Sequence, residues 1–111
     1  MKKRRSRKEI EYLFPRIRTF LQELFGDRLA ELILYGSFAQ GRADQDSDID
    51  LAVVLKVDGE LRPELNRLND FISDLGLESD ELISILTVSW QDLQNSGLPI
   101  YRSLREEGVR L

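Results

Sequence analysis

The 111-residue chain contains no cysteine and no histidine. Without cysteine it can form neither a disulfide framework nor a thiolate metal site, and without histidine zinc chemistry and imidazole catalysis are excluded. No apolar run approaches the roughly 18 residues that a membrane helix requires, so no membrane contact is expected. Any catalysis must therefore use carboxylates, hydroxyls, Lys, Arg, Tyr or a bound metal ion.

Charge is distributed unevenly along the chain. Residues 2–8 hold 6 of the 16 basic residues, whereas all 20 acidic residues follow them. We predict a basic, disordered arm over residues 1–8 and a single domain over residues 9–111. With 10 basic against 20 acidic residues, that domain would repel phosphates. Contact with nucleic acid is therefore expected, if at all, only through the basic arm. The N-terminus lacks the apolar segment of a secretory signal, and we expect a cytoplasmic protein.

Hydrophobic periodicity predicts alternating helices and strands. A helical pattern from Ile10 to Phe25 contains Pro15, so either one helix kinks there or a short first piece ends and Pro15 begins a second helix. The remaining predicted elements are a strand over Leu29–Tyr35, a helical turn over Ser37–Gln40, a strand over Asp48–Leu55, a turn over Lys56–Glu60, a helix from near Pro63 to Gly76, a strand over Glu81–Val88, a short helix after Ser89 and a helix over Ile100–Glu107 that Gly108 ends.

This order predicts an α/β (α+β) fold in which a small mixed sheet has helices packed on one face and a carboxylate pair exposed on the other. Trp90, at the start of a helix, is predicted to pack within the fold and not to stack on a base. The predicted core residues are Ile17, Leu21, Leu24, Leu32, Leu34, Leu51, Val53, Leu68, Ile72 and Ile85.

Residues 36–55 carry the strongest functional signal, a Gly-Ser turn after one apolar strand and a Ser-Asp-x-Asp at the start of another. Side chains alternate along a strand, so Asp48 and Asp50 project from the same face, about 7 Å apart along the backbone. Two carboxylates at one sheet edge repel each other, and a divalent cation such as Mg²⁺ relieves that repulsion. The Gly36-Ser37 turn offers N–H groups and a hydroxyl to an anion. Together these features predict a site for a metal-bound nucleoside triphosphate.

Two other motifs are excluded in this stretch. Gly36 and Gly41 have the spacing of a P-loop, but Arg42-Ala43 stand where that motif has Lys and then Ser or Thr. The aspartates between Asp44 and Asp50 resemble the first ligands of an EF-hand loop, but apolar residues replace its required Gly and its final Glu. Asp44 and Asp46 are therefore interpreted as part of an acidic, solvated turn.

The stretch GSFAQGRADQDSDIDLAVVL resembles the Gly-Ser-x(8–13)-Asp-x-Asp signature of the DNA polymerase β-like nucleotidyltransferase superfamily. Within that superfamily the chain is similar to the minimal nucleotidyltransferases, single-domain proteins of prokaryotes. These are commonly encoded beside a HEPN-domain protein, as the antitoxin of a toxin–antitoxin pair. The resemblance covers nearly the whole chain and implies the polymerase β-like fold.

The resemblance also implies the roles of individual residues. Gly36 would let the backbone approach the triphosphate, and Ser37 would bind its terminal phosphates. Asp48 and Asp50 would hold Mg²⁺, with Mn²⁺ as a substitute, between the phosphates and the nucleophile. Arg42 would replace the basic residue that these proteins often carry two positions earlier.

The chain departs from the family pattern at the third carboxylate. Active members usually have an aspartate in the next long strand, where it activates the attacking hydroxyl, and Ser84 aligns with that position. Asp80 and Glu81 are candidate replacements. Asp80 has the strand parity of Ser84 if the strand extends backwards, whereas Glu81 points to the opposite face. The departure threatens turnover more than nucleotide binding.

The resemblance implies a Mg²⁺-dependent nucleotidyltransferase that transfers a nucleoside monophosphate to an acceptor hydroxyl. The expected donor is ATP, or another nucleoside triphosphate, and the expected transferred group is AMP. A HEPN-domain toxin is the expected partner and acceptor. The alternative is a catalytically weak or inactive antitoxin of the nucleotidyltransferase fold that acts by binding its partner, and the serine at position 84 motivates it.

Overall fold

Four strands form one mixed sheet in the computed structural model, which describes residues 2–56 and 61–111. They are β1 (Leu29–Tyr35), β2 (Ile49–Leu55), β3 (Ile83–Ser89) and β4 (Val109–Arg110). Their order across the sheet is β3-β2-β1-β4. β1 runs antiparallel to β2 and β4, whereas β2 and β3 are parallel. The predicted mixed sheet is therefore confirmed.

Helices pack on both faces of this sheet. In the described part of the chain they are α1 (Phe14–Phe25), α2 (Gly36–Ala39), α3 (Arg62–Ser79), α4 (Trp90–Asn95) and α5 (Pro99–Glu107). α1 and α3 form the main core with alternate residues of β1 and β2, among them Leu34 and Leu51.

A second, smaller core lies on the opposite face. Leu93 of α4 and Leu104 of α5 are fully buried there against Ile33, Ala52 and Val54. The predicted α+β class is confirmed, but the prediction that helices pack on one face alone is wrong. The physical reason is that β1 and β2 are apolar at successive positions, so both of their faces must be covered.

The structure matches the second of the two arrangements predicted around Pro15. Residues Glu11–Leu13 form a 3₁₀ turn, and α1 begins at Phe14 with Pro15 in its first turn. Backbone N–H groups in the first turn of a helix have no intrahelical acceptor. A proline at this position therefore costs no hydrogen bond.

α3 supplies the crossover that two parallel strands require. It continues one turn beyond the predicted end at Gly76 and stops at Asp80, which has the left-handed φ of 57°. A Cβ atom on Gly76 would lie 2.9 Å from the carbonyl oxygen of Glu81. Gly76 therefore permits a close backbone contact inside the helix and does not end it.

Residues 2–8 differ from the expected disordered arm. Arg4 forms an antiparallel bridge with Asp44, and Lys2 forms an ion pair with Asp46 at 3.0 Å. The segment thus lies against the acidic turn that precedes β2. The basic segment and the acidic turn, which were expected to be solvated separately, are thus in contact with each other.

Nine of the ten predicted core residues are buried. Ile85 of the edge strand β3 is only partly buried, and Trp90 is 44% exposed, which contradicts the prediction that it packs within the fold. β4 was not predicted, because two residues after Gly108 are too few to show a periodicity. The predicted turn over Lys56–Glu60 lies outside the described residues except for Lys56. No helix in the described ranges is long and apolar enough to cross a membrane.

Candidate active site

The backbone turns sharply where β1 ends and α2 begins. Tyr35 is extended, and Gly36 has a φ of +74°, a left-handed conformation that glycine adopts without steric cost. A Cβ atom on Gly36 would overlap the Oδ2 atom of Asp50 and would lie 3.2 Å from its Cγ atom. Glycine is therefore required at position 36 for two reasons: the positive φ, and the close approach of the Asp50 carboxylate.

Asp48 and Asp50 flank Ile49, the fully buried first residue of β2. The N–H of Ile49 donates to the carbonyl oxygen of Leu82 at 2.8 Å, which ties the backbone between the two aspartates to the segment entering β3. Burial raises the pKa of Asp50 above its usual value, and the negative charge of Asp48 raises it further. The structure thus places the two predicted metal ligands within electrostatic reach of each other.

Ser84 on β3 is the register partner of Asp50 on β2. Register partners on neighbouring strands point to the same face and lie about 4.8 Å apart along the hydrogen-bonding direction. The alignment with the family pattern predicted this serine in place of the third carboxylate. Across residues 2–56 and 61–111, no group of three or more Asp, Glu, His or Cys side chains is arranged to hold a metal ion.

Neither of the two candidate replacements occupies that position. Asp80 ends α3 and is exposed, and β3 does not extend back to it. The carboxylate of Glu81 accepts two hydrogen bonds from the guanidinium of Arg5, at 2.9 and 2.7 Å. Because its side chain is only 10% exposed and already paired, Glu81 is not available beside Ser84.

Ser37 and Arg42 are connected through the backbone of the turn. The carbonyl oxygen of Ser37 accepts a hydrogen bond from the N–H of Arg42 at 2.9 Å. The exposed guanidinium of Arg42 donates to the side-chain oxygen of Gln40, whose amide in turn donates to Glu107. The structure therefore keeps the predicted basic residue next to the turn, on its solvent side.

The acidic turn before β2 has a structural role. Asp44 Oδ1 accepts the N–H of Asp46 at 2.9 Å, and the N–H of Asp44 donates to Ser47 Oγ at 2.9 Å. Such side-chain bonds to the nearby backbone stabilise turns. These contacts agree with the interpretation of Asp44 and Asp46 as turn residues.

Tyr35 is a residue of this region that sequence reasoning missed. It is the register partner of Asp50 on β1, so Tyr35, Asp50 and Ser84 form one row across three adjacent strands. Burial raises the pKa of the Tyr35 phenol, and the charge of Asp50 adds to the effect. The only sequence signal was its place directly before Gly36, because the pairing with Asp50 depends on strand order.

Comparison with known proteins defines the class. Residues 15–100 match the nucleotidyltransferase domain family. A protein of Methanocaldococcus jannaschii named "Putative protein adenylyltransferase MJ0141" is 30% identical over 76 residues, which are 68% of this chain and 76% of that protein.

Two solved structures share the fold. A toxin–antitoxin solved with AMP-PNP superposes with a TM-score of 0.60 at 21% identity, covering 86% of this chain and 69% of that one. A "putative minimal nucleotidyltransferase" superposes with a TM-score of 0.59 at 22% identity, covering 92% and 95%.

The chain belongs to the nucleotidyltransferase domain family, whose match covers most of its length. It is a nucleotidyltransferase of the polymerase β-like fold, similar to a minimal nucleotidyltransferase over nearly its whole length. The resemblance to nucleotidyltransferases inferred from residues 36–55 is thereby confirmed.

Proposed function

We propose that this nucleotidyltransferase is Mg²⁺-dependent and transfers AMP from ATP to a hydroxyl group of a protein. Gly36, Ser37, Asp48 and Asp50 would surround the reacting phosphates. The observation that carries the proposal is the contact between Gly36 and Asp50, which brings the Gly-Ser turn and a carboxylate together with no side chain between them. The name of the M. jannaschii relative supports AMP as the transferred group and a protein as the acceptor.

The donor atoms at this site suit Mg²⁺. Mg²⁺ prefers hard oxygen ligands and is usually bound by one or two carboxylates together with water and the phosphates of its substrate. Asp48 and Asp50 would hold it, because a cation relieves the repulsion that contributes to the raised pKa of Asp50. Bound there, Mg²⁺ or Mn²⁺ would neutralise charge on the phosphates.

The chain's own residues would orient the nucleotide. Gly36 and Ser37 would bind phosphate oxygens through backbone N–H groups and the Ser37 hydroxyl, and Arg42 would add positive charge on the solvent side. The acceptor oxygen would bond to the α-phosphorus as the bond to the leaving oxygen breaks, releasing pyrophosphate. Ser84 is a neutral hydroxyl and does not take up the acceptor's proton as a carboxylate would, so that proton would pass to water.

A HEPN-domain toxin is the proposed partner and acceptor. The support is the structural likeness to a toxin–antitoxin solved with AMP-PNP, in which a nucleotide analogue and a toxin–antitoxin occur together. An antitoxin that adenylylates its toxin would need a nucleotide site open to a protein side chain. Asp48 and Asp50 are only half-buried, which supports such an opening.

Calorimetric titration with ATP, in Mg²⁺ and in EDTA, tests the site. We expect much tighter binding in Mg²⁺, because the triphosphate and the two aspartates repel each other without a cation. Asp50→Ala should abolish the enhancement, whereas Asp74→Ala, which removes an exposed carboxylate of α3, should preserve it. Equal ATP affinity in Mg²⁺ and in EDTA would overturn the proposal.

A transfer assay tests the reaction and the acceptor. The protein is incubated with ATP labelled at the α-phosphate, Mg²⁺ and a candidate HEPN-domain protein. We expect label on a tyrosine of the HEPN-domain protein, lost in Asp50→Asn and retained in Asp74→Asn. Transfer that continues unchanged in Asp50→Asn would remove Asp50 from the reaction.

An inactive antitoxin that neutralises its partner by contact is the second candidate function. Two observations favour it: Ser84 occupies the register position beside Asp50, and Glu81 is paired with Arg5. Under this alternative, the double variant Asp48→Asn/Asp50→Asn should neutralise the toxin as well as the parent protein does. Loss of neutralisation in the double variant, with its fold intact by circular dichroism, would favour transfer.

A further inference from the structure

The N-terminal segment pairs with the loop that connects the two halves of the site. The N–H of Arg5 donates to the carbonyl oxygen of Ala43 at 3.0 Å, and the N–H of Gln45 donates to the carbonyl oxygen of Lys3 at 3.1 Å. This short antiparallel pairing holds the loop over residues 40–47 from one side. The loop begins just after the Gly-Ser turn and ends just before the two aspartates.

Arg5 contacts three parts of this region at once. Besides its backbone bond to the loop, its guanidinium donates two hydrogen bonds to the carboxylate of Glu81 and lies 5.5 Å from the centroid of the Phe38 ring in α2. Glu81 immediately precedes Leu82, whose carbonyl oxygen accepts the N–H of Ile49. Arg5 therefore links α2, the loop and the entry to β3.

The geometry of the Arg5–Glu81 pair makes this link specific. Two parallel bonds from a planar guanidinium to one carboxylate fix orientation as well as distance, and lysine does not reproduce them. The Arg5 side chain is 21% exposed and that of Glu81 10%, so the pair is better shielded from water than a surface ion pair. The hydrogen bonds that the Arg5 guanidinium donates to Glu81 raise the pKa of Arg5 above its usual value.

We infer that residues 2–6 form a clamp on the site loop and that Arg5 is a positioning residue for nucleotide binding. Arg5 acts through the loop and through Glu81, by keeping the Gly36-Ser37 turn and the Asp48–Asp50 pair facing one nucleotide. The part of the inference that concerns nucleotide rests on the proposed function. The clamp itself is a property of the protein alone.

Hydrogen exchange of the protein without nucleotide tests the clamp. In the parent protein the amide of Gln45 should be protected, because it donates to the Lys3 carbonyl. Arg5→Ala should speed exchange at Gln45, whereas Lys8→Ala removes an exposed positive charge of the same segment and should not. Unchanged exchange at Gln45 in Arg5→Ala would overturn the clamp.

Calorimetry with Mg²⁺ and ATP tests the positioning role. We expect the Kd to rise about tenfold in Arg5→Ala, since small misplacements of binding groups are costly. Arg5→Lys keeps the positive charge but cannot donate two parallel hydrogen bonds to Glu81. Its Kd should lie between those of Arg5→Ala and the parent protein. The exchanged pair Arg5→Glu/Glu81→Arg should recover part of the loss. The thermal midpoint of each variant shows that it is folded.

The two proposals fail in different ways. Faster exchange at Gln45 with unchanged ATP affinity in Arg5→Ala would overturn the positioning role and leave the proposed function intact. A parent protein that binds no ATP in Mg²⁺ would overturn the proposed function and the positioning role together. In that case faster exchange in Arg5→Ala still supports the clamp.

Discussion

Gly36 and Asp50 approach so closely that a Cβ atom on the glycine would overlap the Oδ2 atom of the aspartate. Gly36→Ala should therefore displace the Asp50 carboxylate and also place alanine at a φ of +74°. We expect a loss of stability of about 1–3 kcal/mol from the backbone strain alone. We expect Mg²⁺-dependent ATP affinity to fall at least about tenfold, which is about 1.4 kcal/mol of binding free energy. Urea unfolding and calorimetry measure the two effects.

Gly41→Ala is the matched control for that substitution. Gly41 has a φ of +71°, but a Cβ atom there would meet nothing within 4 Å. The backbone strain should be similar, whereas ATP affinity should stay close to that of the parent protein. Equal losses of ATP affinity in the two variants would show that the contact with Asp50 is unimportant.

Ser84→Asp would place a third carboxylate beside Asp50, its register partner. In EDTA the added negative charge should lower the thermal midpoint, because three carboxylates repel one another. In Mg²⁺ we expect metal affinity to rise about tenfold, since affinity grows with the number of charged ligands. Thr87→Asp is the control, since Thr87 is exposed and points to the opposite face of β3. Metal affinity that rises equally in both variants would indicate a general charge effect.

Asp50→Asn should stabilise the metal-free protein at neutral pH. The pKa of Asp50 in the folded chain lies above its ordinary value of 3.8, so the folded state binds this proton more tightly than the unfolded chain does. Protonation of Asp50 stabilises the folded state fully below the pKa of Asp50 in the unfolded chain. This stabilisation is lost as the pH rises through the pKa of Asp50 in the folded chain. The advantage of the asparagine should therefore disappear on acidification toward pH 3.8.

A series of urea unfolding curves in EDTA, from neutral to acidic pH, measures that prediction. Asp74→Asn, at an exposed position of α3, serves as the control. A stability difference between Asp50→Asn and the parent that does not change with pH would contradict the assigned role of ionisation.

Leu104→Ala tests whether the second core is part of the folding unit. Leu104 of α5 is fully buried against the face of the sheet that was predicted to be open. We expect a loss of about 2–5 kcal/mol in the free energy of unfolding, as is usual when a buried leucine is truncated. Leu98→Ala, at a position that is 61% exposed, should change stability by less than about 0.5 kcal/mol. A Leu104 variant as stable as the Leu98 variant would show that α5 packs loosely.

The strands β1 and β2 were predictable because their signals are local. The apolar run of β1 ends at the Gly36 turn, and the apolar run of β2 follows the aspartates. The end of α3 was predicted wrongly because glycine is the residue that most often follows the last turn of a helix, and Gly76 was interpreted in that way. Its actual role depends on the carbonyl of Glu81, a contact that forms only when the chain folds back into β3.

The sequence by itself determined that Asp48 and Asp50 flank a buried strand residue, because alternation along a strand depends only on spacing. The tertiary structure alone decided that Ser84 is the register partner of Asp50, since that pairing needs the parallel crossover through α3. It also decided that Arg5 pairs with Glu81, 76 positions away along the chain. Local patterns specify the face on which a side chain lies, whereas the order and direction of the strands determine which distant residue it meets.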